Sequence, residues 1–190
     1  MSNPKNSHQP SPKPNFAFID SQNLNLGIQK NGWKMDWRKL RAYLRKEHNV
    51  QQAYMFIGYM QEHEAMYEQL HEAGYLIVLK PTVGMHAGSD EATKKPTIKG
   101  NIDAELVLYA MKELPNYQQA VIISGDGDFY CLAEYLAAKK RLKHIMTPNR
   151  FYSTLLRPYE DQIVRLDKLK SKLQHIDSYK NPIKKQKRSK

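Results

Sequence analysis

The sequence predicts an α/β fold built on a parallel sheet, and three observations carry that reading. Short apolar runs rich in β-branched and aromatic residues alternate along the chain with stretches of helical spacing. One run, Val121-Ile122-Ile123, suits a strand covered on both faces and breaks off into Ser124-Gly125-Asp126-Gly127-Asp128-Phe129. Another, Asn15-Phe16-Ala17-Phe18-Ile19, ends in the same way on Asp20. Strand, helix and parallel strand in succession require right-handed crossovers.

The elements follow in order. Residues 15–20 form the first strand, and 21–32, full of Asn, Gln and Gly, read as a loop with a helical turn near Leu24 to Ile28. Asp36 is the N-cap of a helix over 37–48, with Trp37, Leu40, Tyr43 and Leu44 on one face. A strand is expected over 53–59 and a helix over 62–73, stopped by Gly74. The next strand spans 75–79. Residues 80–100 lack periodicity and read as a long functional loop. A helix from Asn101 or Ile102 to Leu114 is apolar nearly all round, which predicts deep packing. Strand 120–124, helix 128–140 and strand 142–146 follow, then a helical stretch over 153–161 and an edge strand over 162–166. The last residues read as a basic tail, helical as far as Ile176. No internal repeat is present. One Rossmann-like domain over 15–167 is expected, between a leader (1–14) and a basic tail (168–190).

Composition narrows the function classes. A chain of 190 residues with a 41% hydrophobic share supports one domain with a full core. No run of about 18 apolar residues exists to span a membrane, and no secretory signal is visible. Cys131 is the only cysteine, which excludes an internal disulfide and a multi-cysteine zinc site and points to a reducing, cytoplasmic compartment. The net charge of +11 is concentrated at the ends: Lys5 and Lys13 at one, nine Lys/Arg against Asp177 alone at the other. The body between them is close to neutral. Basic ends attract polyanions through counterion release, or they simply keep a disordered segment in solution. The Lys184–Arg188 cluster also has the composition of a nuclear-import signal.

The carboxylates are the chemical feature. Asp20 ends the first strand, and Asp126 and Asp128 follow the fourth. If those strands are neighbours, the three meet at the carboxyl edge of the sheet, where open α/β sheets place their sites. Asp103, in the first turn of the apolar helix, is the fourth candidate. Each has an ordinary alternative: an Asp-Gly turn or cap for Asp126 and Asp128, loop amides for Asp20, and the helix dipole for Asp103. Four acids at ends facing one way favour a site. The glycines are expected to let the backbone turn sharply there. Clustered carboxylates repel unless a cation neutralises them, and an oxygen-only donor set suits Mg²⁺ or Mn²⁺ better than Zn²⁺. Metal-assisted phosphodiester hydrolysis is the chemistry such a site predicts.

These residues also carry a resemblance. Phe18-Ile19-Asp20-Ser21-Gln22-Asn23-Leu24, Lys99-Gly100-Asn101-Ile102-Asp103 and Ser124-Gly125-Asp126-Gly127-Asp128-Phe129 are similar, in order and spacing, to the three motifs of the NYN domain, the LabA-like branch of the PIN-like nucleases. The similarity covers roughly 15–166. It implies a three-layer PIN-like fold with strand order 3-2-1-4-5, a metal-dependent ribonuclease activity, and Asp20, Asp103, Asp126 and Asp128 as the metal-binding acids. Asn23 matches a recurrent polar position and Ser124 the small hydroxyl before the last motif. Asn101 is one residue more than the usual middle motif carries, which leaves Glu105 as the fallback for Asp103.

Around this set, Asn23, Lys99 and Ser124 are candidate substrate contacts, with backbone-satisfying or solvent-exposed roles as their alternatives. His86, Asp90 and Glu91 lie in the long loop and are not assigned a role. His63 and His71 have the wrong spacing for a helical metal pair. Cys131 reads as packing. Phe151 and Tyr152 beside Arg150 could stack on bases, although packing is the plainer role. No phosphate-binding Gly-Lys-Ser/Thr loop or dinucleotide fingerprint is present. The expected function is a Mg²⁺- or Mn²⁺-dependent nuclease acting on RNA. The alternatives are a noncatalytic nucleic-acid-binding module on the same fold and a phosphatase or nucleotide hydrolase. Whether the chain works as a monomer or a homodimer stays open.

Overall fold

The computed structural model describes residues 13–58, 64–80 and 102–176. Within them a six-stranded sheet has the order β3-β2-β1-β4-β5-β6, every neighbouring pair parallel. The strands are β1 (Asn15–Asp20), β2 (Val50–Gly58), β3 (Leu76–Lys80), β4 (Ala120–Ile123), β5 (Leu142–Thr147) and β6 (Ile163–Arg165). The expected order and the extra edge strand are both present.

Side-chain alternation divides the core into two layers. Ala17, Ile19, Met55, Val121 and Ile123 face one side, while Phe16, Phe18, Phe56, Ala120 and Ile122 face the other. The first side is covered by α1 (Ser21–Lys30), α2 (Trp37–His48) and α3 (Glu64–Glu72) through Leu24, Ile28, Leu40, Leu44, Tyr67 and Leu70. The second is covered by α4 (Asp103–Lys112) and α5 (Tyr130–Ala138) through Leu106, Ala110, Leu132 and Leu136. Helices on both faces of a parallel sheet make the three-layer α/β architecture.

Three expectations need correction. Residues 21–30 are a full helix rather than a loop, because the Asp20 side chain accepts the Asn23 N–H and caps it. The helix over 103–112 is not buried all round: Leu106 and Ala110 face the core, but Leu108 is 62% exposed. The helix expected from Asp128 opens instead with a 3-10 turn, Gly127–Phe129, before α5; the helical stretch expected over 153–161 is present as a 3-10 helix, Thr154–Gln162, with Pro158 inside.

The chain beyond Asp167 also packs onto the body. A short helix α6 (Lys170–Leu173) buries Leu173 to 1% exposure in the first core layer. The Leu173 carbonyl accepts from Asp36 N–H at 2.8 Å, and His175 N–H donates to the Lys34 carbonyl at 2.9 Å. The lysines of residues 168–172 therefore decorate a docked segment. The expected leader up to residue 12, the loop 81–101 and residues 177–190 lie outside the described residues.

Candidate active site

The register of the central strands sets Ile19 beside Ile123, so Asp20 and Ser124 leave the sheet side by side. The Ser124 hydroxyl donates to Asp20 Oδ2 at 3.1 Å, and Asn23 N–H donates to Asp20 Oδ1 at 3.0 Å. Asn23 Oδ1 accepts the Gly125 N–H across the gap at 2.9 Å. Asp126 N–H donates to Ser124 Oγ, and Asp126 Oδ1 accepts from Asp128 N–H, each at 3.1 Å. Two sequence motifs a hundred residues apart are thus one hydrogen-bonded network. It sits at the carboxyl end of the two central strands.

Asp20 is the electrostatic focus. It is only 5% exposed, and burial pushes its carboxyl above the ordinary value. The hydrogen bonds from Asn23 and Ser124 oppose that rise, while the neighbouring Asp126 carboxylate adds to it. Asp126 is half-buried and Asp128 exposed. A hard divalent ion would suit this pair, because it would offset both the burial and the mutual repulsion, and Mg²⁺ needs only one or two protein carboxylates, keeping waters and phosphate oxygens for the rest. The donor set is all oxygen, which fits Mg²⁺ or Mn²⁺.

The fourth acid lies at the same end of the sheet. Alternation puts Asp20 on the face of Phe16 and Phe18, the face that α4 covers. That helix runs against β1 and the Gly127–Phe129 turn, and Ile102 is buried with Phe18 and Phe129. Asp103, the next residue, is half-buried in the first turn. Among the described residues no three Asp, Glu, His or Cys side chains form a group able to hold one ion. The close pair is Asp20 with Asp126; Asp128 bonds to Asp126 through its N–H, and Asp103 opens α4. Glu105 is engaged elsewhere, paired with Lys80 Nζ at 3.0 Å. Lys99 lies outside the described residues.

Gly127 is needed for space rather than for a turn. Neither Gly125 nor Gly127 has a left-handed backbone, but a Cβ on Gly127 would lie 2.3 Å from Ser153 Oγ. The element that demands this is the segment after β5, which sequence reasoning did not assign to the site. Ser153 N–H donates to the Gly125 carbonyl at 2.9 Å, and Tyr152 Cβ lies 3.4 Å from where a Gly125 Cβ would stand. Buried Asn149 holds the segment to α1 by donating Nδ2–H to the Gly27 carbonyl at 3.0 Å. Pro148 packs so closely on Gly27 that a Cβ there would lie 2.5 Å from it. The Thr-Pro-Asn sequence at 147–149 was the available signal, since Pro and Asn mark a fixed turn.

The profile of the NYN domain matches residues 16–167. The chain belongs to the NYN domain family. That family is part of the PIN-like nuclease superfamily, and the matched span contains Asp20, Asp103, Asp126 and Asp128. The Low amplitude and bright protein LabA of Synechococcus elongatus is 29% identical over 159 residues, covering 81% of this chain and 84% of that protein. A solved structure of a protein of unknown function from Vibrio parahaemolyticus shares the NYN chain's fold. It has a TM-score of 0.69 at 22% identity, across 88% of this chain and 99% of the other.

Proposed function

We propose that this NYN domain is a divalent-metal-dependent nuclease that hydrolyses phosphodiester bonds, with RNA as its substrate. The observation that carries the reading is the buried Asp20 carboxylate, held by Ser124 and Asn23 beside Asp126 at the carboxyl end of the central strands. A polar network costs stability unless every member is satisfied, and here a carboxylate is kept in a site that raises its energy. Function accounts for that better than packing does. Asp20 and Asp126 would hold Mg²⁺ or Mn²⁺, with Asp103 and Asp128 as further acids of the site and Lys99, outside the described residues, as a candidate phosphate contact from its motif. The bound ion would supply charge stabilisation on the phosphate and a water of lowered pKa. Ser124 and Asn23 keep the Asp20 carboxylate oriented, and Asn23 also fixes the Gly125 backbone that carries Asp126. Asp128 N–H orients Asp126 through its Oδ1.

A second reading, a noncatalytic nucleic-acid-binding module, is favoured by two observations. Both Asp20 oxygens already accept hydrogen bonds, and the described residues hold no three-ligand group. Cleavage separates the two readings. The nuclease cuts single-stranded RNA with Mg²⁺ or Mn²⁺ and loses that activity with EDTA or Asp126→Asn; the binding module retains salt-sensitive binding and cuts nothing. Activity that survives both treatments contradicts the metal-site assignment. The chain carries a cytoplasmic role in either case, consistent with its single cysteine. Among the described residues no helix is long and apolar enough to cross a membrane.

A further inference from the structure

The segment after β5 presents an aromatic side chain that the fold does not use. Phe151 is 77% exposed, the most exposed of the large hydrophobic residues described. Arg150 beside it is exposed as well, but the residues that flank the two are not: Pro148 and Asn149 are buried, and Tyr152 and Ser153 are half-buried. The backbone on either side is fixed. Phe151 N–H donates to Asn149 Oδ1 at 2.8 Å, Thr147 Oγ1 donates to the Asn149 carbonyl at 3.0 Å, and Ser153 is bonded to Gly125. An exposed aromatic on a mobile loop would mean little; this one is held on a rigid support.

The support is the candidate active site itself. Only Tyr152 separates Phe151 from Ser153, whose N–H is bonded to the residue before Asp126. Arg150 lies over the Phe151 ring with its guanidinium carbon 4.7 Å from the centroid. A guanidinium on a ring face leaves its N–H groups directed outward in its own plane, suited to phosphate oxygens. Among the described residues Arg150 has no carboxylate partner. A flat apolar ring, an available cation and a nearby carboxylate pair form the pattern by which proteins hold single strands: base stacking with backbone charge recognition.

We propose that Phe151 and Arg150 form a nucleobase-stacking subsite for single-stranded nucleic acid beside the Asp20–Asp126 centre. Phe151 stacks on one base of the strand, and Arg150 engages an adjacent phosphate. Duplex bases are already stacked on each other and offer Phe151 no face, so the subsite selects single strands. Stacking does not distinguish sugars; RNA and DNA single strands both enter. This rests on the nuclease reading for its substrate, but its test does not depend on turnover.

The experiment measures binding of the full chain to short labelled oligonucleotides in EDTA, where no cleavage interferes. The ligands are a single-stranded RNA, the matching DNA strand, their duplex forms and an abasic strand of equal length. Phe151→Ala weakens single-strand binding roughly 5- to 150-fold, the range expected for one lost stack. Phe151→Trp restores it. The abasic strand binds the Phe151→Ala variant and the parent equally, and Arg150→Gln lowers the salt slope by about one. Because Phe151 is exposed, these variants should fold as the parent does. Unchanged single-strand affinity in Phe151→Ala overturns the subsite, as does an equal loss on the abasic strand or no single-strand binding by the parent. Failure of the nuclease reading shows differently: binding that follows this pattern with no cleavage in Mg²⁺ or Mn²⁺.

Discussion

Two buried polar groups, one at the end of a central strand and one at the end of a helix, have been treated in opposite ways. Asp20 is surrounded by donors, both carboxylate oxygens bonded, with a second carboxylate beside it. His48, at the end of α2, is equally buried, yet neither ring nitrogen has a hydrogen-bond partner among the described residues. Its ring lies edge-on to Tyr43 and to His144 of β5, with centroids 5.1 and 4.9 Å away. Burial lowers its pKa to about 4, and the neighbouring His144 and Lys143 add to that effect. His48 is therefore a neutral aromatic in the core, whereas Asp20 is a charge kept available. A donor network around a buried ionisable group marks a working site, and its absence marks packing.

Substitution at Gly127 tests how tightly the network is held and should have the largest effect on stability. Gly127→Ala forces a methyl against Ser153 Oγ and should cost about 1–3 kcal/mol in denaturant unfolding. A neutral result would mean that the segment after β5 is loosely attached. Acid titration then separates the two buried groups by sign. His48 binds fewer protons folded than unfolded between its ordinary 6.5 and about 4, so stability falls as pH drops through that window. The loss should reach up to about 3 kcal/mol, and His48→Phe should flatten it. Asp20 runs the other way. Its raised pKa means that the folded state holds the proton more tightly, so acidification from neutral relieves the burial cost.

That difference predicts the behaviour of Asp20→Asn. Asparagine still caps α1 and removes the buried charge, so the metal-free variant should be more stable than the parent by about 1 kcal/mol. The same variant should lose cleavage. A destabilised Asp20→Asn would place Asp20 with the packing residues. Ser124→Ala is the smallest perturbation. It removes one hydrogen bond to the carboxylate and one from Asp126 N–H, for about 1 kcal/mol of stability, and calorimetry against the parent would measure it.

The sheet was legible in the sequence because each strand is an apolar run bounded by polar or turn residues, and the parallel order followed from the helices between them. The meeting of Asp20 with Asp126 was legible for the same reason: adjacent parallel strands must end together. What the sequence concealed was local. The helix over 21–30 is rich in Asn and Gln, which compete with helical hydrogen bonds, and its cap was read only as the end of a strand. In α4, Leu108 made the pattern look buried, although apolar composition does not oblige a residue to face the core. The docked segment after Asp167 was hidden by its lysines, while Leu166, Leu169 and Leu173 carried the amphipathic spacing that packs it. Gly127 looked like a turn residue because steric need and conformational need leave the same letter in the sequence.

The most direct measurement is cleavage of a single-stranded RNA by the purified chain with Mg²⁺ or Mn²⁺, alongside Asp126→Asn and EDTA controls. The account predicts metal-dependent cleavage in the parent and a loss of roughly a hundredfold or more in the variant, with folding unchanged. Equal cleavage by parent and variant, or cleavage undiminished by EDTA, would contradict the assignment of Asp20 and Asp126 as its metal-holding centre.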